Sequence, residues 1–143
     1  MKKFILPMIM AFAMLTGCSE KARVVTDYYT VSPNQWQYAT TLNADDTYTI
    51  NYAYSTWEDV NITPDVMDNG VVLVYYIDDD KRDNLLPYTL YFLDNGEPYQ
   101  ERIEYDVEAG KITFKIKDTD FNTRESMENI GTMLFKVSVI RNF

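Results

Sequence analysis

The chain of 143 residues contains no histidine and a single cysteine, and these two shortages exclude much of enzyme chemistry. Zinc sites built from cysteine and histidine, Ser-His-Asp and Cys-His catalytic groups, and most iron or copper sites need imidazole or thiolate ligands. The five glycines stand apart from one another, so the chain also lacks a glycine-rich phosphate loop. We therefore expect no enzyme activity and no cofactor.

Basic residues are scarce as well. The sequence has 13 lysines and arginines against 22 aspartates and glutamates, which gives a net charge of −9. A nucleic-acid-binding protein must neutralise about one phosphate charge per 1.7 Å of duplex, and an acidic surface repels those phosphates. We therefore expect no nucleic-acid partner.

A run of apolar residues long enough to cross a membrane is also missing near the N-terminus. The apolar stretch of residues 4–15 has about a dozen residues, whereas a membrane-spanning helix needs roughly 20. Lys2 and Lys3 precede this stretch and small residues follow it, which is the pattern of a secretory signal. Its last four residues, Leu15-Thr16-Gly17-Cys18, resemble the lipobox of bacterial lipoproteins.

The lipobox resemblance implies a lipid anchor. Residues 1–17 would be a lipoprotein signal peptide, the Cys18 sulfur would carry lipid, and residues 18–22 would form a lipidated tether. Each buried methylene contributes about 0.8 kcal/mol, so two or more acyl chains hold a protein durably on a membrane. An ordinary signal peptide that leaves Cys18 as a free thiol is the alternative.

Residues 23–143 have the composition of a β-sheet domain. The chain has 12 tyrosines and 7 phenylalanines, and apolar and polar residues alternate along several segments. We expect one all-β domain, an antiparallel β-sandwich of about seven or eight strands with an immunoglobulin-like or transthyretin-like shape. The N-cap threonine, first-turn proline and terminal glycine of residues 63–70 predict one short helix near 64–69.

Three segments allow the buried faces to be predicted. Alternation in residues 47–55 directs Tyr48, Ile50, Tyr52 and Tyr54 toward the core. The apolar run of residues 71–77 does not alternate, which is typical of a central strand covered on both faces. The hairpin of residues 99–117 directs two rows inward, listed along the chain as Ile103, Tyr105, Val107, Ile112, Phe114 and Ile116.

A family resemblance can be placed on the same residues. The block Asn61-Ile62-Thr63-Pro64-Asp65-Val66-Met67-Asp68-Asn69-Gly70-Val71-Val72-Leu73-Val74-Tyr75, then Leu86-Pro87-Tyr88 and Glu104-Tyr105-Asp106, resembles small uncharacterised lipoproteins of Bacteroides-type bacteria. The resemblance implies a β-sandwich of unknown function in the cell envelope and supplies no catalytic residue. In such bacteria an acidic run after the lipidated cysteine accompanies surface export. Ser19-Glu20-Lys21-Ala22 departs from that run, which favours the periplasmic side of the outer membrane and leaves surface exposure as the alternative.

One acidic segment has the ligand type of a metal site. Asp78, Asp80 and Asp83 lie in a predicted polar loop, residues 78–86, and carboxylate oxygens are the ligands that calcium prefers. The spacing does not match an EF-hand, because Lys81 and Arg82 interrupt it. A solvated acidic loop beside an apolar strand is the interpretation that we favour.

Two tryptophans are the candidate ligand-binding residues. Trp36 and Trp57, the latter in a predicted bend at residues 55–59, could present rings on which sugars stack. The competing interpretation is that both rings fill the sandwich core. The leading hypothesis is therefore a membrane-anchored envelope lipoprotein with a structural or protein-interaction role, whose partner is an envelope protein. A glycan or small-ligand binding module is the second hypothesis, and an enzyme with two close carboxylates is the third.

Overall fold

A computed structural model of the chain describes residues 22–94, 96–118 and 130–141. The predicted signal peptide, Cys18 and most of the tether lie outside the described residues. Within them the chain forms these elements in order: β1 (Arg23–Val31), a 3-10 turn (Pro33–Gln35), β2 (Gln37–Leu42), β3 (Tyr48–Glu58), α1 (Pro64–Asn69), β4 (Val71–Ile77), β5 (Asp83–Leu85), β6 (Tyr88–Asp94), β7 (Glu97–Glu108), β8 (Lys111–Asp118) and β9 (Met133–Arg141).

The strands make two antiparallel sheets, which confirms the predicted all-β sandwich. The four-stranded sheet has the order β1-β9-β4-β5, and the five-stranded sheet has the order β2-β3-β8-β7-β6. The three residues of β5 lie inside the segment that the sequence predicts as a polar loop. No helix among the described residues has the length and apolar character that crossing a bilayer requires.

Two phenylalanine rings join the sheets at the centre of the core. Phe114 of β8 and Phe135 of β9 stack with centroids 4.1 Å apart and planes 8° from parallel, and both side chains are fully buried. Strict alternation in β8 and β9 buries every second residue around this pair. The inward rows predicted for the β7–β8 hairpin are confirmed, since all six side chains belong to or pack against the core.

Helix α1 begins and ends where the sequence predicts. The Thr63 hydroxyl accepts a hydrogen bond from the Val66 backbone N–H at 3.2 Å, and Val66 is buried. The chain then turns at Gly70, whose N–H donates to the Val66 carbonyl at 2.8 Å. A Cβ at Gly70 would lie 2.7 Å from the Ile140 carbonyl oxygen, so the helix can approach β9 only because this residue is glycine.

A β-bulge overturns part of the face prediction for β3. The pairing passes from Ala39 opposite Tyr52 to Thr40 opposite Ile50, so Asn51 has no partner residue. An extra residue reverses the alternation that follows it. Ile50 faces the core as predicted, but Ala53 is the buried residue beyond the bulge. Tyr52 lies instead on the outer face, with the Lys115 ammonium 5.3 Å from its ring centroid.

Strand β4 is covered on one face by the described residues, not on the two faces that its sequence predicts. Val74 is fully buried, and Val72 and Tyr76 pack against the core with it. The alternate residues point to the opposite face, where Val71 is 50% exposed. The apolar character of that opposite face is therefore not explained by the core of the sandwich.

Candidate functional site

Trp57 lies within β3 and not in a bend, because the strand continues to Glu58. Its ring is half-buried and meets the Tyr29 ring edge-on, with centroids 5.6 Å apart. Its indole N–H donates to the Ser55 hydroxyl oxygen at 3.0 Å. These two contacts fix the orientation of the ring and leave part of it open to solvent.

A groove of about 270 Å³ runs beside the open part of this ring, lined by Gln35, Gln37, Ser55, Thr56 and Trp57. The groove exists because β2 begins at Gln37, opposite Tyr54, so β3 beyond Tyr54 lies next to the 3-10 turn. Its volume is below the 300 to 1,000 Å³ typical of ligand pockets. We call these five residues the Trp57 groove.

Most polar side chains of the Trp57 groove already have partners within the chain. The Gln35 side-chain oxygen accepts from the Ser32 backbone N–H at 2.8 Å. The Thr56 hydroxyl lies 2.9 Å from that of Thr113, and the Ser55 hydroxyl accepts from Trp57. A ligand would therefore have to compete with bonds that stabilise the fold.

Trp36 lies in the core, which removes it from the predicted ligand-binding pair. Its side chain is 5% exposed and packs edge-on against Phe135, with centroids 6.5 Å apart. The preceding turn is closed by the Gln35 N–H, which donates to the Ser32 carbonyl at 2.9 Å, and β2 begins directly after Trp36. The structure thus places Trp36 inside the core and Trp57 at the margin of the core, partly buried and packed against it.

The sequence does not predict a buried carboxylate bonded to Tyr29, the ring that Trp57 contacts. Asp59 is 3% exposed and accepts hydrogen bonds from the Tyr29 hydroxyl at 2.8 Å and the Asn61 backbone N–H at 2.9 Å. Burial, followed by the bond to Asp59, raises the pKa of Tyr29 well above its usual range. The pair ties the loop after β3 to β1, and we assign it a structural role.

Each of the three candidate calcium ligands, Asp78, Asp80 and Asp83, instead pairs with a basic side chain of the same protein. Asp78 accepts from the Arg82 backbone N–H and Nε, both at 2.9 Å, and Asp80 lies 2.8 Å from another nitrogen of the same guanidinium. The backbone bond from Arg82 is the main reason why the pKa of Asp78 is lowered. Asp83 pairs with Lys136 on β9. Among the described residues, no three acidic side chains converge on one point as metal ligands.

The outer face of the four-stranded sheet is mostly apolar, and we call it the apolar face. Register and alternation place these residues on it: Val24, Thr26, Tyr28 and Thr30 of β1, Leu134, Lys136, Ser138 and Ile140 of β9, Val71, Leu73, Tyr75 and Ile77 of β4, and Asp83 and Leu85 of β5. Its charged side chains are Lys136 and Asp83, which bond to each other. The Lys136 ammonium also lies 4.4 Å from the Tyr75 ring centroid.

The outer face of the five-stranded sheet is different in character. Arg102 and Lys117 both pair with Glu104, at 2.8 and 3.1 Å, and Lys115 pairs with Asp106. Charged side chains of both signs thus cover the centre of that face, as expected for a solvated sheet surface. The centres of the two outer faces therefore differ in charge, whereas the β6 edge of the five-stranded sheet also exposes two apolar side chains, Tyr91 and Leu93.

Two surfaces of the described structure have features of a binding site, the Trp57 groove and the apolar face. The groove offers one partly buried ring and four polar side chains, three of which already form hydrogen bonds within the chain. The apolar face is larger and presents side chains whose exposure to water is unfavourable. Comparisons with known proteins add no relative, since no family model, no curated protein and no solved structure matches this chain.

Proposed function

We propose that this protein is a membrane-anchored cell-envelope lipoprotein with a non-catalytic structural or protein-interaction role. The observation that carries the interaction role is the apolar face. Val24, Tyr28, Val71 and Leu85 are between 50% and 64% exposed on it. Contiguous apolar patches with few charges are typical of surfaces that other proteins cover.

The envelope location is supported by the N-terminal sequence. Leu15-Thr16-Gly17-Cys18 follows a basic start and a short apolar stretch, and most of the mature chain, above all residues 61–75, resembles small lipoproteins of Bacteroides-type bacteria. We place the protein at the outer membrane, facing the periplasm. Loss of Lys2 and Lys3 with the signal peptide would leave a net charge of −11, which disfavours direct adsorption to anionic headgroups.

Replacing Cys18 with alanine tests the anchor. We expect the protein to leave the detergent-extracted membrane fraction and to accumulate as soluble or unprocessed chain, because the acyl chains that hold it can no longer be attached. Immunoblots of cell fractions and the intact mass of the purified protein report the change. The matched control is Ser19→Ala, which keeps the thiol. Unchanged membrane partitioning of Cys18→Ala, or an unmodified sulfur on the native protein, would contradict the anchor.

A glycan or small-ligand binding module is the second candidate function, and the Trp57 groove favours it. A partly buried indole beside amide and hydroxyl groups can stack on one sugar ring and bond to its hydroxyls. The buried position of Trp36 restricts such a site to a single ring. We rank this function second because three of the four polar side chains of the Trp57 groove already form hydrogen bonds within the chain.

Tryptophan fluorescence can decide the second candidate. On titration with oligosaccharides from envelope and dietary polysaccharides, Trp57 should respond while the buried Trp36 gives a constant signal. Trp57→Ala is expected to weaken binding about tenfold or more, which corresponds to about 1.4 kcal/mol. Tyr91→Ala, which removes an aromatic ring that is 75% exposed outside the groove, should bind normally. A chain that responds to none of these sugars would rule the groove out as a glycan site.

A further inference from the structure

We propose that the partner at the apolar face is a second copy of this chain, packed sheet against sheet about a two-fold axis. This inference rests on the proposed protein-interaction role and names the partner. The two copies would meet through the four-stranded sheet of each sandwich. The five-stranded sheets, with their charged outer faces, would remain in water.

The side chains of the apolar face stand in rows across the strands. Register places Ile140 between Val24 and Val71 in one row. Another row contains Tyr28, Lys136, Tyr75 and Leu85. Such rows are the surfaces that interdigitate when two sheets pack face to face, about 10 Å apart.

Four polar side chains of the apolar face pair with one another. The Thr26 and Ser138 hydroxyls lie 3.3 Å apart on neighbouring strands, and Lys136 bonds to Asp83. The face therefore carries no net charge and requires no complementary charge from its partner. A matching surface must be equally neutral and apolar, and among the described sheet faces this description fits the apolar face itself.

The acidity of the whole chain limits which of its surfaces two copies can bring into contact. Two copies of the processed chain, which each carry a net charge of −11, repel one another through most orientations. Contact through a neutral face keeps the acidic groups apart and buries the side chains that gain most from leaving water. The charge distribution thus favours this orientation for a pair of identical chains.

The size of the apolar face approaches what a dimer interface requires. The 28 residues of its four strands, each covering about 3.3 Å along the strand and 4.8 Å across it, give a flat area of roughly 450 Å². Stable interfaces begin at about 600 Å² of accessible surface on each partner, and protruding side chains add to the flat value. A dimer also covers the second face of β4, which explains why residues 71–77 are apolar without alternation.

Photo-crosslinking in the native cell identifies the partner directly. A benzoylphenylalanine at position 28, where Tyr28 is 64% exposed, should give a product of twice the chain mass whose joined peptides both come from this sequence. The same group at position 60, where Val60 is 86% exposed in a loop, should not. A product with a different protein alone would overturn the second copy and leave the interaction role standing. The absence of any product at position 28 would overturn both.

Two matched substitutions test the same interface on the purified full chain, by sedimentation velocity in mild detergent. The wild-type chain should sediment as a dimer, and Val71→Glu should weaken dimerisation by about 100-fold or more, because a buried unpaired carboxylate is costly. Val60→Glu makes the same chemical change outside the face and should remain dimeric. If Val71→Glu fails to fold, Val24→Glu repeats the test at a 58% exposed position. A monomeric wild-type chain, or a dimer unchanged by a folded variant, would refute the proposal.

Discussion

Replacing Phe135 with alanine is expected to lower the free energy of unfolding by about 4 kcal/mol, within the range measured for buried aromatic truncations. The ring is fully buried and stacks on Phe114 of the opposite sheet at 4.1 Å. It also contacts Trp36 and Tyr76, with centroid distances of 6.5 and 6.2 Å. Its removal leaves a cavity that three large rigid rings cannot fill by small shifts.

Urea or thermal unfolding followed by circular dichroism measures this loss. Tyr91→Ala is the control, since that side chain is 75% exposed, and its free energy of unfolding should change by about 0.5 kcal/mol or less. A loss below about 1 kcal/mol for Phe135→Ala would mean that the stacked pair does not join the two sheets.

The features that the sequence predicts correctly depend on short-range pattern. The alternation of β8 requires only that neighbouring residues point to opposite faces, so Ile112, Phe114 and Ile116 could be assigned to the core without knowing the fold. The ends of α1 were likewise predictable, because Thr63 and Gly70 act on backbone groups within the same turn.

The predictions that failed concern geometry between distant residues. The bulge at Asn51 has no marker in the local sequence, because it arises from the pairing of β2 with β3, and it moves Tyr52 to the outer face. The position of Trp36 depends on Phe135, which lies 99 residues later in the chain. The strand order places β1 beside β9, and short-range alternation contains no information about such a pairing.

The candidate site was predictable only in part. Trp57 was identified by residue type, but the groove around it arises from the point where β2 begins, so Gln35 and Gln37 gave no signal. The Asp59–Tyr29 hydrogen bond joins residues thirty positions apart. The apolar run of β4 was the local signal for the apolar face. It indicated an exposed apolar surface only once the structure showed that the core covers one side of the strand.

Glu101 shows an electrostatic feature that depends on the pairing of strands. It lies on β7, two residues before the buried Ile103, and therefore points to the inward side. On β8 the opposite residue is Asp118, which is 5% exposed. Burial, followed by the negative charge of Asp118, raises the pKa of Glu101 from 4.5 to about 7.

The raised pKa makes the fold less stable as the pH rises. Below pH 4.5 the Glu101 carboxyl is protonated in both the folded and the unfolded chain, and this residue imposes no ionisation penalty. Between pH 4.5 and about 7 the unfolded chain ionises first, so the free energy of unfolding falls, and the loss is complete above that range. Each unit of pKa difference between the folded and the unfolded chain corresponds to about 1.4 kcal/mol of unfolding free energy, so the full shift at Glu101 would correspond to about 3 kcal/mol. Because the side chain is partly exposed, solvent screening reduces the expected loss to about 2 kcal/mol.

Glu101→Gln removes the ionisable group and should therefore stabilise the protein at high pH alone. We expect the variant to exceed the wild type by about 2 kcal/mol at pH 8 and to match it at pH 4.5, as measured by urea unfolding at each pH. Glu108→Gln is the control, because Glu108 is exposed on the same strand opposite Lys111. A stability difference between Glu101→Gln and the wild type that does not change with pH would show that packing of the side chain, and not its charge, limits the stability at this end of the sandwich.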